Sequence, residues 1–207
     1  MYSLHHSPAS PYVRKVMVLL HETGQLDAVR LLPATGTPID PATMPVGLNP
    51  LGKIPALERD DGCTLHDSRV ICRFLAERAA AAAGPALYPA GARLWEVLTL
   101  EATAEGMLDA ALLMRYEAVL RPEARQSPEW IEAQWSKIAR SLDALEARWM
   151  GHLAGPLCMG QIATGCALGY LDFRHGARDW RAGHPALDQW YAAFAARPSM
   201  VATQPVG

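Results

Sequence analysis

The sequence predicts an α/β domain followed by an all-α helical-bundle domain, and three observations carry that expectation. Over the first third of the chain, short extended runs alternate with helical ones. Beyond about residue 90 the pattern is helical, with almost no strand signal. Between the two lies GPALYPAG (84–91), whose two prolines and two glycines break helix continuity after the alanine run 79–83. We therefore expect an N-terminal domain over 1–83, a linker over 84–91 and a helical domain over 92–207.

Each element has a local cause. YSLHH (2–6) reads as a strand. Ser10-Pro11 is a helix start, with serine as N-cap and proline at the first helical position. Val13, Val16, Met17 and Leu20 then form one apolar stripe, and Gly24 supplies the stop. AVRLL (28–32) is a second strand. The Pro- and Gly-containing stretch 33–50 is irregular or at most briefly helical. ALER and CTLH flank Asp60-Asp61-Gly62, a hairpin signal, and Ser68 opens another helix. In the second part, helices are expected near 92–121, 128–150, 159–175 and 185–197. Ser127-Pro128-Glu129 repeats the cap-then-proline start, His184-Pro185 does so more weakly, and Arg197-Pro198 ends the last helix.

Composition narrows the function classes. Half of the residues are hydrophobic and 19% are charged, enough apolar material for packed cores. A net charge of −2 with scattered Lys and Arg offers no field for a polyanion, so nucleic acid is not an expected partner. Four cysteines without a C-x-x-C pair fit a reducing compartment. No stretch approaches the roughly 20 apolar residues needed to cross a bilayer, and the N-terminus lacks the features of a signal peptide, so the expectation is a cytoplasmic protein with no membrane partner.

The segment Asn49-Pro50-Leu51-Gly52-Lys53-Ile54-Pro55-Ala56-Leu57 puts two prolines and a glycine ahead of a short strand. On its own it reads as a turn, with Ile54-Pro55 trans, since only about 5–6% of X-Pro bonds in folded proteins are cis. Together with SPASPYVRKV upstream and LHDSRVICRFL after the hairpin, however, it resembles the N-terminal domain of the cytosolic glutathione S-transferases. The likeness runs nearly end to end, through the linker and helical half to the closing AARPS. The serine of Ser10-Pro11-Tyr12-Val13 resembles the serine-type bacterial members. The resemblance implies a thioredoxin-like first domain, glutathione as co-substrate, a homodimer and a detoxification enzyme acting on a small hydrophobic electrophile.

Glutathione carries two carboxylates, an ammonium and a thiol, and the sequence holds a partner for each. Asp67-Ser68 opens a helix, whose free N–H groups and dipole suit the glutamyl carboxylate, while Asp67 suits the ammonium. Without the upstream motif the same pair reads as a helix cap. The resemblance places Lys53 near the glycyl carboxylate and makes Ile54-Pro55 cis, presenting the Ile54 backbone to the cysteinyl part. Ser10 heads the first helix, where a thiol is pulled below its ordinary pKa of about 8.5. Its hydroxyl can cap the helix and donate to the sulfur together. Serine is not a base here, so the expected mechanism is thiolate stabilisation followed by nucleophilic attack.

Met107, Ala111 and Met114 share a helix face and Tyr116 lies nearby. They read as a second-substrate pocket or equally as a bundle core. The seven histidines show no zinc-ligand spacing, so no metal is expected. Cys158 and Gln161 stand where the family carries a Ser or Thr cap and an Asp three residues later, which predicts a weakened start for the helix 159–175. Two other functions compete: a glutathione-dependent peroxide or disulfide reductase, and a non-catalytic glutathione-transferase-like binding protein.

Overall fold

Strand β1 (Tyr2–His6) pairs in parallel with β2 (Val29–Pro33) and antiparallel with β3 (Ala56–Glu58) in the computed structural model, which describes residues 1–207. Strand β4 (Thr64–Leu65) completes a four-stranded sheet of order β2-β1-β3-β4. The parallel pair is bridged by helix α1 (Pro11–Glu22), and α2 (Ser68–Ala81) follows β4. The register sets His5 opposite Ala56 and Leu57 opposite Leu65. The end of β1, the start of β3 and the end of β4 therefore meet at one edge of the sheet. Residues 34–55 contain turns and one isolated bridge but no regular helix, so the irregular reading of this stretch holds.

The chain divides into two compact units, one formed by 1–89 with 198–207 and the other by 90–197. In the first, the α1 stripe Val13, Val16, Met17 and Leu20 is buried, as are Ile71, Cys72 and Leu75 of α2. Fully burying such an aliphatic side chain is worth about 1.5–3 kcal/mol. Gly24 has φ +64°, the left-handed conformation that suits a residue just past a helix end. Pro198 does more than end a helix. It starts α8 (Pro198–Ala202), which returns to the first unit and packs on α1. Arg14 Nη2 donates to the Met200 carbonyl at 3.2 Å, and Ser199 donates to Glu22.

The second unit is built on α3 (Ala92–Leu120), which packs on α4 (Pro128–Ala144) and α6 (Met159–His175). Every residue from Met159 to Leu171 is buried, so α6 is the central helix of this unit. The helix expected over 128–150 runs on from α4 through a π-turn (Leu145–Trp149) into α5 (Met150–Leu153). Helix α7 (Pro185–Ala195) starts without a side-chain cap from His184. Glu146 of the π-turn supplies it instead, accepting from the N–H groups of Ala186 and Leu187 at 3.0 and 2.8 Å.

One expectation is corrected here. Helix α6 has a strong start, although a thiol sits at its N-cap. The Cys158 N–H donates to Gln161 Oε1 at 2.6 Å, and the Gln161 amide donates to the carbonyls of Leu153 and Gly155 at 2.8 and 3.0 Å. The longer glutamine thus makes the reciprocal bond of a capping box and also clamps the preceding loop, which an aspartate is too short to do.

Candidate functional site

Three segments converge where the ends of β1 and β4 meet the start of β3. The first is the turn Ser7–Ser10, closed by the Ser10 N–H donating to the Ser7 carbonyl at 3.1 Å. Ser10 takes the N-cap of α1 in extended conformation, with Pro11 at the first helical position, as its sequence context predicts. Its Oγ accepts from the Val13 N–H at 3.3 Å. The bond uses one lone pair and leaves the hydroxyl hydrogen for a ligand.

The second segment precedes β3. Gly52 has φ +60°, a value few residues other than glycine adopt, and it turns the chain between Asn49 and Lys53. Asn49, only 2% exposed, ties this turn together. Its Nδ2 donates to the Lys53 carbonyl at 2.8 Å and its Oδ1 accepts from the Leu51 N–H at 3.1 Å. Lys53 is exposed, Ile54 half-buried and Pro55 buried, and the Ile54-Pro55 peptide is cis. Asn49 is a positioning residue that the sequence reading left without a role. Its signal was an Asx residue heading a Pro- and Gly-containing turn.

The third segment heads α2. Asp67 is the N-cap, its Oδ1 accepting from the N–H groups of Arg69 and Val70 at 2.9 and 3.4 Å. Ser68, the next residue, is buried in the first turn. Partial burial pushes the Asp67 carboxyl up. The Arg69 guanidinium and the two N–H groups outweigh that push and hold it below the ordinary carboxylate range. Arg69 was not anticipated, because an i, i+2 pair does not ordinarily face itself along a helix. Here the pair forms because Asp67 stands outside the helix as its cap.

The residues expected to line a second-substrate pocket lie in the second unit. Met107, Ala111 and Met114 are buried along α3 in the second unit, as residues of a core stripe are. Tyr116 is half-buried, and burial raises its phenol above the usual tyrosine value. Nearby on α6, burial pushes Tyr170 up to about 12 against the opposing charge of Arg174.

Comparison with known proteins identifies the family. Residues 9–78 match the family profile "Glutathione S-transferase, N-terminal domain" and residues 128–193 the corresponding C-terminal domain. A glutathione transferase family member from Pseudomonas fluorescens Pf-5, solved with bound glutathione, is 47% identical over the whole of both chains with a TM-score of 0.96. A glutathione S-transferase from Methylobacillus flagellatus KT, also with glutathione bound, is 34% identical over the whole of both chains with a TM-score of 0.84. The uncharacterized GST-like protein YibF of Escherichia coli K12 is 34% identical, with 96% of each chain covered. With two domain profiles in order and relatives matched over their full length, the chain belongs to the glutathione S-transferase family.

Proposed function

We propose that this chain is a glutathione transferase that holds glutathione at the sheet edge described above and stabilises its sulfur as thiolate. The observation that carries the reading is the placing of two helix N-termini at one edge. Ser10 heads α1, Asp67 and Ser68 head α2, and Ile54-Pro55 lies between them in the strand order. The positive end of the helix dipole at each start favours an anion, one the thiolate and the other the glutamyl carboxylate. The Ser10 hydroxyl donates to the sulfur, Ser68 and the α2 N-terminus take the glutamyl carboxylate, and Asp67 takes its ammonium. Lys53 faces the glycyl end as a solvated cation, so it acts on affinity more than on chemistry.

The thiolate then bonds to the carbon of an apolar electrophile, either displacing a leaving group such as halide or adding to an activated double bond that takes up a proton from solvent. Met107, Ala111, Met114 and Tyr116 are the candidate contacts, with Tyr116 the one that retains exposure. A second structure of the Pseudomonas fluorescens Pf-5 protein carries bound S-(propanoic acid)-glutathione. Its sulfur is bonded to carbon, which favours conjugation over disulfide exchange for a chain 47% identical to it. We also read the protein as a cytoplasmic homodimer with two-fold symmetry.

The experiment is a side-by-side assay of glutathione with a chlorodinitrobenzene, an organic hydroperoxide and a mixed disulfide, with glutathione affinity measured by calorimetry. Conjugation as the fastest reaction is the expected result. Faster turnover of hydroperoxide or disulfide assigns the chain as a reductase. Glutathione binding with no turnover assigns it as a binding protein.

A further inference from the structure

The segment that returns to the first unit, Pro198–Gly207, meets α1 at its last turn, at its first turn and at the turn that precedes it. Ser199 donates to Glu22, Arg14 donates to the Met200 carbonyl at 3.2 Å, and Gly207 lies against Ala9. We infer that this segment positions Ser10, with Arg14 as the tie between them, and so forms part of the glutathione site. The inference rests on the proposed role of Ser10 and extends that role to residues far along the chain.

Proximity is the first reason. Ala9 stands next to Ser10 in the turn Ser7–Ser10, and a Cβ built on Gly207 would lie 3.6 Å from the Ala9 Cβ, an ordinary van der Waals distance. The path that brings Gly207 there is itself held. Thr203 Oγ1 donates to the Ser199 carbonyl at 2.8 Å and the Gln204 N–H to the Val201 carbonyl at 3.4 Å, which closes α8 and sends the chain onward. Thr203 and Pro205 are half-buried, and Gln204 and Val206 between and beyond them are exposed.

Arg14 is the second reason. Its N–H donates to the Ser10 carbonyl at 3.0 Å while its guanidinium donates to Met200, so one residue joins the Ser10 turn to the returning segment. Arg14 is only 6% exposed, and its Nε meets no acceptor. A buried guanidinium with an unmet donor costs free energy that an apolar side chain of similar volume does not. Fold stability alone therefore does not account for an arginine at this position, whereas a tie to Met200 does. Ser10 needs such support, because the bond from the Val13 N–H to its Oγ is 3.3 Å, longer than the usual N–H···O distance of about 2.9–3.0 Å. A displacement of about 1 Å in a catalytic group can slow a reaction on the order of 10²-fold.

The test follows the pKa of bound glutathione through thiolate absorbance against pH, together with kcat and KM for conjugation of a chlorodinitrobenzene, in the full chain. Gln204→Gly/Pro205→Gly/Val206→Gly loosens the end of the segment without changing a side-chain charge. Arg14→Met cuts the tie, and Arg14→Lys keeps a donor for the Met200 carbonyl. The triple variant and Arg14→Met are expected to raise the thiol pKa and to lower kcat near neutral pH roughly tenfold, with the KM for glutathione changed less than about twofold. Arg14→Lys is expected to recover most of that loss. Ser10→Ala is measured alongside. A shifted profile in Ser10→Ala with a wild-type profile in the triple variant overturns this inference alone, even where that variant unfolds at a lower temperature. A shift in Arg14→Met without one in the triple variant does the same, since it reduces Arg14 to a nearby charge. Faster turnover in the triple variant also overturns it, because a segment that merely covers the site slows release. A wild-type profile in Ser10→Ala overturns the role of Ser10 and this inference with it.

Discussion

Arg69 Nη2 lies 2.9 Å from Asp67 Oδ2, so the carboxylate that caps α2 is already ion-paired by a residue two positions along. Both side chains are about half exposed, and the pair tunes the carboxylate more than it stabilises the fold. Because the Asp67 pKa is depressed, its contribution is complete above the ordinary carboxylate value and is lost as pH falls toward the folded value. Asp67→Asn is expected to be less stable than wild type near neutrality. The gap should close only below the ordinary Asp range, as read by thermal unfolding across pH. Asp67→Ala and Ser68→Ala are both expected to raise the KM for glutathione, and unchanged affinity in both removes them from the site.

Ser10→Ala is expected to raise the pKa of bound glutathione and to slow conjugation near neutral pH by on the order of 10²-fold, with a smaller effect on affinity. The measurement is the pH dependence of conjugation, with thiolate absorbance as an independent check, beside Ser7→Ala. A shifted profile for Ser7→Ala together with a wild-type profile for Ser10→Ala moves the role to Ser7.

Gln161→Ala removes three hydrogen bonds from a site that is 3% exposed. It leaves the Cys158 N–H and the Leu153 and Gly155 carbonyls to find other partners. A loss of about 2–4 kcal/mol is expected in urea unfolding. A change under half a kilocalorie would show that the clamp contributes little.

Of the four thiols, Cys63 is exposed and Cys72, Cys158 and Cys166 are buried. Burial raises the Cys158 thiol more than the N–H groups of Gln161 and Gly160 lower it, so it stays protonated despite heading a helix. A disulfide reagent is expected to titrate Cys63 alone and quickly in the native protein, and all four in denaturant. Rapid native reaction in Cys63→Ser contradicts this.

The candidate edge is legible in the sequence because its cues are local: Ser-Pro for one helix start, Asp-Ser for another, Pro-Gly-Pro for the turn between. What it hid depended on distant partners. Arg14 and Lys15 are buried on α1 although the apolar stripe puts them outside it, and Arg14 meets Met200, a residue far along the chain. The cap of α7 comes from Glu146 and not from the adjacent His184. The start of α6 reads as weak because a thiol caps poorly, whereas the reach of the Gln161 amide to Leu153 and Gly155 leaves no mark in the spacing. The Met107, Ala111 and Met114 stripe could not be apportioned between core and pocket by period alone, since both leave the same helical spacing.

The return of 198–202 to the α1 surface also orders events during synthesis. The ribosome delivers β1, α1 and the whole helical unit before the segment that covers Arg14 exists. The helical unit, contiguous from 90 to 197, can close as soon as it emerges, whereas the sheet-containing unit must wait with part of α1 uncovered. The half of the protein that is made first is therefore the half that is finished last.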